Sequence, residues 1–289
     1  MLSISNIAWD TADDAEAARI LAALDVHHLD IAPGKYFPKP EIASDTDIRA
    51  VRKLWQQRGF SLVGFQSLLF GTQGLNVFAS PNVQERMLTH LTHMCRIAAG
   101  LGVHRLVFGS PRNRDRQGLS DAQTEDMAQD FFTRLGNIAQ IHDVVFCLEP
   151  NPEAYGANFL TNTMDACNFV SALHHPAIRL QLDTGAMFMN NESCDILQTV
   201  REWTGHVHIS EPHLAALGQS GVSHELTGKA FRKAFRKAFG TSDSLSAGTT
   251  NHCEPVSFVT IEMLVQDKGP GLLEKALMQA VQLVRRHYL

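Results

Sequence analysis

Short apolar runs and amphipathic segments of helical period alternate along the whole chain, and this alternation constrains the fold more than any other feature. The strand-like runs are SISNIAW (3–9), HHLDIAP (27–33), FSLVGFQSLLF (60–70), HRLVFGS (104–110), VVFCLEP (144–150), IRLQLD (178–183), HVHIS (206–210) and SFVTIEM (257–263). Helix-like segments follow each of them, at 11–24, 45–58, 81–102, 120–142, 161–174, 193–204, 223–239 and 270–287. Strict strand–helix alternation implies a parallel sheet. The runs are continuously apolar, as strands covered on both faces must be. An open doubly wound sheet satisfies the alternation too, but no GxGxxG or P-loop follows the first run. Eight units in 289 residues fit a (β/α)8 TIM barrel over 1–289, since that fold takes about 250 residues.

Local signals agree. Pro81 suits the first turn of its helix and Gly102 the exit, while Ser120 and either Ser44 or Asp45 suit N-caps. One stretch breaks the rhythm. GKAFRKAFRKAF (228–239) sets Phe231, Phe235 and Phe239 on one stripe flanked by Lys and Arg, and a Gly/Ser/Thr-rich segment follows at about 240–255. The stripe reads either as the seventh barrel helix lying on the sheet or as a basic helix for an anionic surface. The segment after it is a long loop for a barrel.

Composition excludes some classes of function. The net charge of −5 and pI near 6.3 give no global attraction for nucleic acid. No run approaches the roughly 18 apolar residues of a membrane span, and MLSISNIAWDTADD carries no basic, apolar leader. Five cysteines, Cys95, Cys147, Cys167, Cys194 and Cys253, form no CxxC pair and read as reduced thiols. The expected location is the cytoplasm.

Four of the runs end on a side chain able to bind a metal: Glu149, Asp183, His208 and Glu262. A barrel gathers its strand ends into a ring, so these four converge although they are far apart in sequence. Three carboxylates and one imidazole suit one divalent ion, Mg2+, Mn2+ or Co2+, with Zn2+ as an alternative. Such an ion polarises a carbonyl and stabilises an enediolate, and an adjacent Glu moves the proton on the neighbouring carbon.

The segments LEPNP, LDTG, HVHISE and TIEM, in this order, resemble the xylose isomerase-like superfamily of sugar isomerases and epimerases. The resemblance runs from SNIAW to the closing helix and is more specific for fold and metal site than for substrate. It implies one divalent ion, often Mn2+ or Mg2+, held by Glu149, Asp183, His208 and Glu262. It also implies that Glu149 and Glu262 exchange the substrate proton. The expected activity is a metal-dependent isomerase or epimerase of a sugar, sugar phosphate or sugar acid, working through an enediolate. A dehydratase of a cyclic polyol or keto acid, or a non-catalytic sugar-binding barrel, is the alternative. A phosphodiesterase of the endonuclease IV type needs further metal ligands that this chain does not assemble. The sequence departs from the ketose epimerases in two places: Ala186 stands where they often have a His, and Leu214 near where they often have an Arg.

Other residues are candidates for the barrel mouth. Trp9 offers a ring to stack on a sugar face, and Gln66 and Asn151 offer amides to hydroxyls. His206 shares a strand face with His208. Glu211 is a partner for His208 or for a substrate hydroxyl, and His224 is a substrate contact in related barrels. Arg112 and Arg114, with Arg116, are candidates for an anionic substrate, and Lys35, Tyr36 and Phe37 are placed on the same rim. Each has a plainer alternative as a packed or solvated residue. His90 and His93, at i and i+3 on a helix facing outward, read as a solvated pair. The expected partner is a small carbohydrate, with neither nucleic acid nor membrane, and related barrels often form homo-oligomers.

Overall fold

The computed structural model describes residues 1–239, 256–266 and 269–289. Eight strands close into a barrel in sequence order. They are β1 (Leu2–Ser5), β2 (His28–Ile31), β3 (Ser61–Phe65), β4 (Arg105–Phe108), β5 (Val145–Leu148), β6 (Ile178–Asp183), β7 (Thr204–Ile209) and β8 (Val259–Ile261). All neighbours are parallel, and β8 returns to pair with β1 through Leu2 opposite Val259 and Ile4 opposite Ile261. The architecture is the (β/α)8 TIM barrel.

The helices are α1 (Asp14–Ala23), α2 (Asp45–Gln57), α3 (Pro81–Leu101), α4 (Asp121–Ile141), α5 (Thr163–Leu173), α6 (Thr184–Met189), α7 (Ile196–Val200), α8 (His224–Phe239) and α9 (Leu272–His287). Their ends follow from local chemistry. Ser44 with Asp47, and Ser120 with Gln123, form reciprocal capping boxes. Pro81 opens α3, and Gly102 closes it in the left-handed conformation at φ 79°.

Three expectations need correction. The first run is a strand only to Ser5, because Asn6–Ala8 wind into a 3-10 turn whose Ile7 amide donates to the Ser5 hydroxyl. The third stops at Phe65, because Ser67 takes a positive φ of 57° that no strand continues. The expected helix at 193–204 is reduced to α7, and a short helix, α6, forms directly after β6 where Asp183 caps it.

Side-chain alternation sorts the barrel into two cores. Phe146 and Leu148, Leu180 and Leu182, Val207 and Ile209, and Val259 and Ile261 are buried in the apolar layer. The intervening positions carry Cys147, Gln181, His206, His208 and Thr260, all buried. Ser3, Ser5 and Asp30 join them, so the barrel interior is polar towards its C-terminal end. Phe231 and Phe235 are buried and stack at 4.6 Å between centroids, so α8 lies on the barrel by its aromatic stripe. The segment 240–255 and the side chain of Phe239 lie outside the described residues.

Among the described residues no helix is long and apolar enough to cross a membrane. Cys95, Cys147, Cys167 and Cys194 are free thiols.

Candidate metal centre

The period of two that buries Cys147, Gln181, His206 and Thr260 inside the barrel carries their i+2 neighbours to its mouth. Those neighbours are Glu149, Asp183, His208 and Glu262. Each offers one ligand atom, and the four atoms lie within 4.8 Å of one another. His208 is fully buried, with Nδ1 3.2 Å from Oε2 of Glu262 and 3.7 Å from Oε1 of Glu149. Backbone bonds from Glu149 N to Phe108 O (3.1 Å) and from Glu262 N to Ile209 O (3.0 Å) extend the ladders past the strand ends and fix where these carboxylates emerge.

Neighbours orient each carboxylate. Asp183 accepts from the Ala186 amide through Oδ1 (2.7 Å) and from the Ser210 hydroxyl through Oδ2 (2.6 Å). Gly185 in the LDTG segment lets the Ser210 strand end approach, because a β-carbon there would lie 2.7 Å from Ser210 Oγ. Gly109 makes similar room, since a β-carbon there would overlap the Glu149 carboxylate. The Asn151 amide reaches Glu149 Oε2 at 3.4 Å.

The charges are unbalanced. Burial, then the nearby Glu262 and Asp183 charges, hold the Glu149 carboxyl well above the usual range. Burial and Glu262 push Asp183 up to about 6. Burial opposes protonation of His208, but Glu262 and the Asp30 carboxylate outweigh it and raise its pKa well above the ordinary value. Glu149, Asp183 and His208 therefore all favour an added positive charge at one point. The Nδ1 atom of His208 is buried and makes no hydrogen bond, although carboxylate oxygens surround it. Its position among carboxylates calls for a positive charge there, a proton in the metal-free protein or a bound cation in its place. The donor set, all oxygen apart from one imidazole nitrogen, fits a divalent ion.

Glu149, Asp183 and Glu262 line a cavity of about 540 Å3, while His208 is fully buried and does not line it. Gln66, Asn151 and Glu211 also line it, together with residues absent from the sequence expectation: Tyr155, Ser210 and His213. Ile7, Leu68, Leu69, Phe70, Val107 and Phe108 give it apolar walls, to which Ala186 and Leu214 also contribute. Among the described residues no Lys or Arg lines it.

The structure places several other candidates away from the cavity. Trp9 is packed in the core with its indole donating to Asp14 Oδ1 at 2.9 Å, because the strand ends four residues before it. His206 sits beneath the quartet, 2.6 Å from Asp30 Oδ2. His224 is held between Tyr288 Oη (2.7 Å) and Glu211 Oε1 (3.1 Å). Glu211 reaches the cavity edge, but its oxygens also accept from the Gly218 and Ser220 amides. Burial raises its carboxyl, and the bonds from His224, Ser220 and Gly218 outweigh this and bring it to about 2.

Arg112 is exposed and reaches only the Thr72 carbonyl at 3.5 Å. Arg114 is buried and donates to the Glu149 carbonyl at 2.5 Å, its pKa lowered by burial to about 10. Arg116 pairs with Asp121. The three arginines therefore diverge, because Pro111–Arg114 is a 3-10 turn and not an extended loop. Lys35 donates to the Asn6 and Trp9 carbonyls, Tyr36 donates to Asp14, and Phe37 is buried, so none of the three lines the cavity. His90 is tied to the Leu68 carbonyl at 2.9 Å.

Sequence reasoning missed Asp30. Its carboxylate lies between His206 and His208 inside the barrel. The only local signal is an acid at the centre of the apolar run HHLDIAP.

The family model of the xylose isomerase-like TIM barrels matches residues 11–240, and the chain belongs to that family. Solved structures share the fold at low identity. D-psicose 3-epimerase from Clostridium cellulolyticum H10, with D-tagatose, superposes with a TM-score of 0.75 at 18% identity, covering 99% of this chain and 98% of that one. The 3-keto-D-glucoside 4-epimerase YcjR from E. coli gives 0.71 at 14%, covering 97% and 98%. The IOLI protein with a bound zinc atom gives 0.65 at 13%, covering 99% and 95%. No curated protein matches the sequence.

Proposed function

We propose that this barrel is a divalent-metal-dependent epimerase or isomerase of an uncharged carbohydrate, acting by proton transfer next to a carbonyl. The observation that carries this reading is the quartet: Glu149, Asp183, His208 and Glu262 bring four ligand atoms within 4.8 Å at the wall of a cavity large enough for a small molecule. Structural neighbours include sugar epimerases, which supports the same reaction class.

Asp183 and His208 are the holders of the ion, each fixed by hydrogen bonds on its far side. Glu149 and Glu262 share in holding it and line the cavity. When bound, a divalent cation supplies Lewis-acid stabilisation of the charge that develops on a carbonyl oxygen. Glu149 and Glu262 come from β5 and β8, separated by two strands, so they address a substrate carbon from different directions. One carboxylate takes the proton from that carbon and the other returns one to its opposite face, which inverts the centre; delivery of the proton to the neighbouring, former carbonyl carbon, with the hydroxyl proton passing to the former carbonyl oxygen, isomerises the sugar instead. Asn151 steadies the Glu149 carboxylate through the 3.4 Å contact.

The apolar wall and the lack of any Lys or Arg among the described lining residues favour a neutral sugar over a phosphate or sugar acid. Ala186 and Leu214 both line the cavity, which leaves an apolar patch beside the acids suited to a deoxygenated or substituted carbon. Mn2+ and Mg2+ suit the oxygen-rich set best.

The test is turnover of a panel of neutral ketoses and keto-glycosides in deuterated water. Activity should vanish on chelation, return with Mn2+ or Mg2+, and place deuterium on the carbon beside the carbonyl. Turnover in the chelated protein would refute the proposal. A product lighter by one water would reassign the site to dehydration.

A further inference from the structure

Beneath the quartet lies a second, fully buried polar cluster: Asp30 on β2, His206 and His208 on β7, and Thr260 on β8. One carboxylate oxygen of Asp30, Oδ2, meets two imidazoles, His206 Nε2 at 2.6 Å and His208 Nε2 at 3.2 Å. The other, Oδ1, accepts from the Thr260 hydroxyl at 3.3 Å. The space for this carboxylate is provided across the sheet. Asp30 pairs in register with Gly64, and a β-carbon at Gly64 would lie 2.5 Å from Asp30 Oδ1.

A neutral imidazole, the form that binds a metal, has a bare lone pair at Nδ1 when it donates through Nε2. In His208 that Nδ1 is the atom turned towards Glu149 and Glu262. The opposite tautomer would direct a proton into the quartet and leave the buried Asp30 oxygen without its donor. Resting on the proposed metal site, we infer that Asp30 is the positioning residue that selects the Nδ1-ligating tautomer of His208, with His206 and Thr260 anchoring Asp30 itself. A carboxylate behind a ligating imidazole also makes the imidazole a better electron donor, and loss of such a partner typically weakens metal binding about 10- to 100-fold.

Asp30, His206 and His208 also place ligand atoms within 4.8 Å of one another, so they could hold an ion of their own. The 2.6 Å contact between His206 and Asp30 argues for a hydrogen bond instead, because a proton fits in that gap and a coordinated cation does not.

Two measurements on the full chain decide it. Calorimetric titration with Mn2+ should give one ion per chain, bound about 10- to 100-fold more weakly by Asp30→Asn, an isosteric change that leaves one acceptor for two imidazoles. Long-range 1H–15N spectra of the Mg2+-loaded protein should show His208 protonated at Nε2 and bare at Nδ1. Asp30→Asn should shift that signature while the circular dichroism spectrum stays unchanged. Wild-type affinity in Asp30→Asn, a His208 protonated at Nδ1, or two ions per chain with one lost in Asp30→Asn would each overturn the assignment. The tautomer is read on the wild type, so the inference stays testable if the variant fails to fold. If the wild type binds no divalent ion, the metal reading of the site fails, and the tautomer of the metal-free protein at alkaline pH still decides the role of Asp30.

Discussion

Nδ1 of His208 stands 3.2 Å from Oε2 of Glu262, yet the two make no hydrogen bond. Behind the ring, Nε2 is engaged by Asp30 at 3.2 Å. The imidazole is thus bonded on its buried side and open on the side facing three acids. That asymmetry is what a metal ligand requires, and it underlies the predictions that follow.

The acidity of the quartet makes metal binding depend on pH. Asp183 is raised to about 6, and Glu149 and His208 are raised well above their ordinary values, so binding an ion displaces protons. As pH falls below about 6, the apparent Mn2+ affinity should drop about tenfold per unit for each proton displaced. Titrations between pH 5 and 8, repeated in buffers of different ionisation enthalpy, count those protons.

The same shifts predict an unusual stability profile for the metal-free protein. A group whose folded pKa is raised contributes stability below its unfolded pKa and loses it as pH rises through the folded value. For Asp183 the window runs from 3.8 to about 6, and Glu149 and His208 act in the same direction. The metal-free melting temperature should therefore be lowered by these groups as pH rises from about 4 past 6. Saturating Mg2+ or Mn2+ should reverse the trend, as seen in paired calorimetric scans.

Glu262→Gln keeps a carbonyl oxygen for the ion and removes a base. Turnover should fall by about 100- to 10,000-fold, and deuterium incorporation from solvent should fall with it. Full activity in Glu262→Gln would remove this residue from the proton-transfer role.

Two of the three arginines of the loop after β4, Arg112 and Arg114, should behave differently. Arg114 is buried and supports the Glu149 carbonyl, so Arg114→Met should cost about 1–3 kcal/mol by leaving that acceptor only the long 3.4 Å bond from Asn151. Arg112 is exposed, and Arg112→Ala should change stability by no more than about 0.5 kcal/mol, with the KM for a neutral substrate unchanged. Thermal melts and steady-state kinetics on the pair check both.

Phe231 is fully buried, stacks on Phe235 and meets Tyr288 edge-on. Phe231→Ala should destabilise the barrel by about 3–5 kcal/mol, measured by urea unfolding, without altering metal stoichiometry. A wild-type unfolding midpoint would mean that α8 does not depend on its aromatic stripe for docking.

Much of this protein follows from local sequence. The alternation of strand and helix signals, the capping residues Ser44 and Ser120, the Pro81 and Gly102 boundaries and the placement of the four candidate ligands at strand ends are all set by near neighbours and by the period of each element. The short helix after Asp183 escaped notice because its cap is the candidate ligand itself: Asp183 Oδ1 holds the Ala186 amide. Only the closed barrel decides the rest. Asp30 is 176 residues from His206 and 178 from His208, so no local pattern marks the pairing. Arg112 and Arg114 look equivalent in GSPRNRDRQG, but a 3-10 turn sends one to solvent and buries the other under Glu149. Periodicity determines which face a side chain takes; which charges then meet on that face depends on how the strand ends come together when the barrel closes.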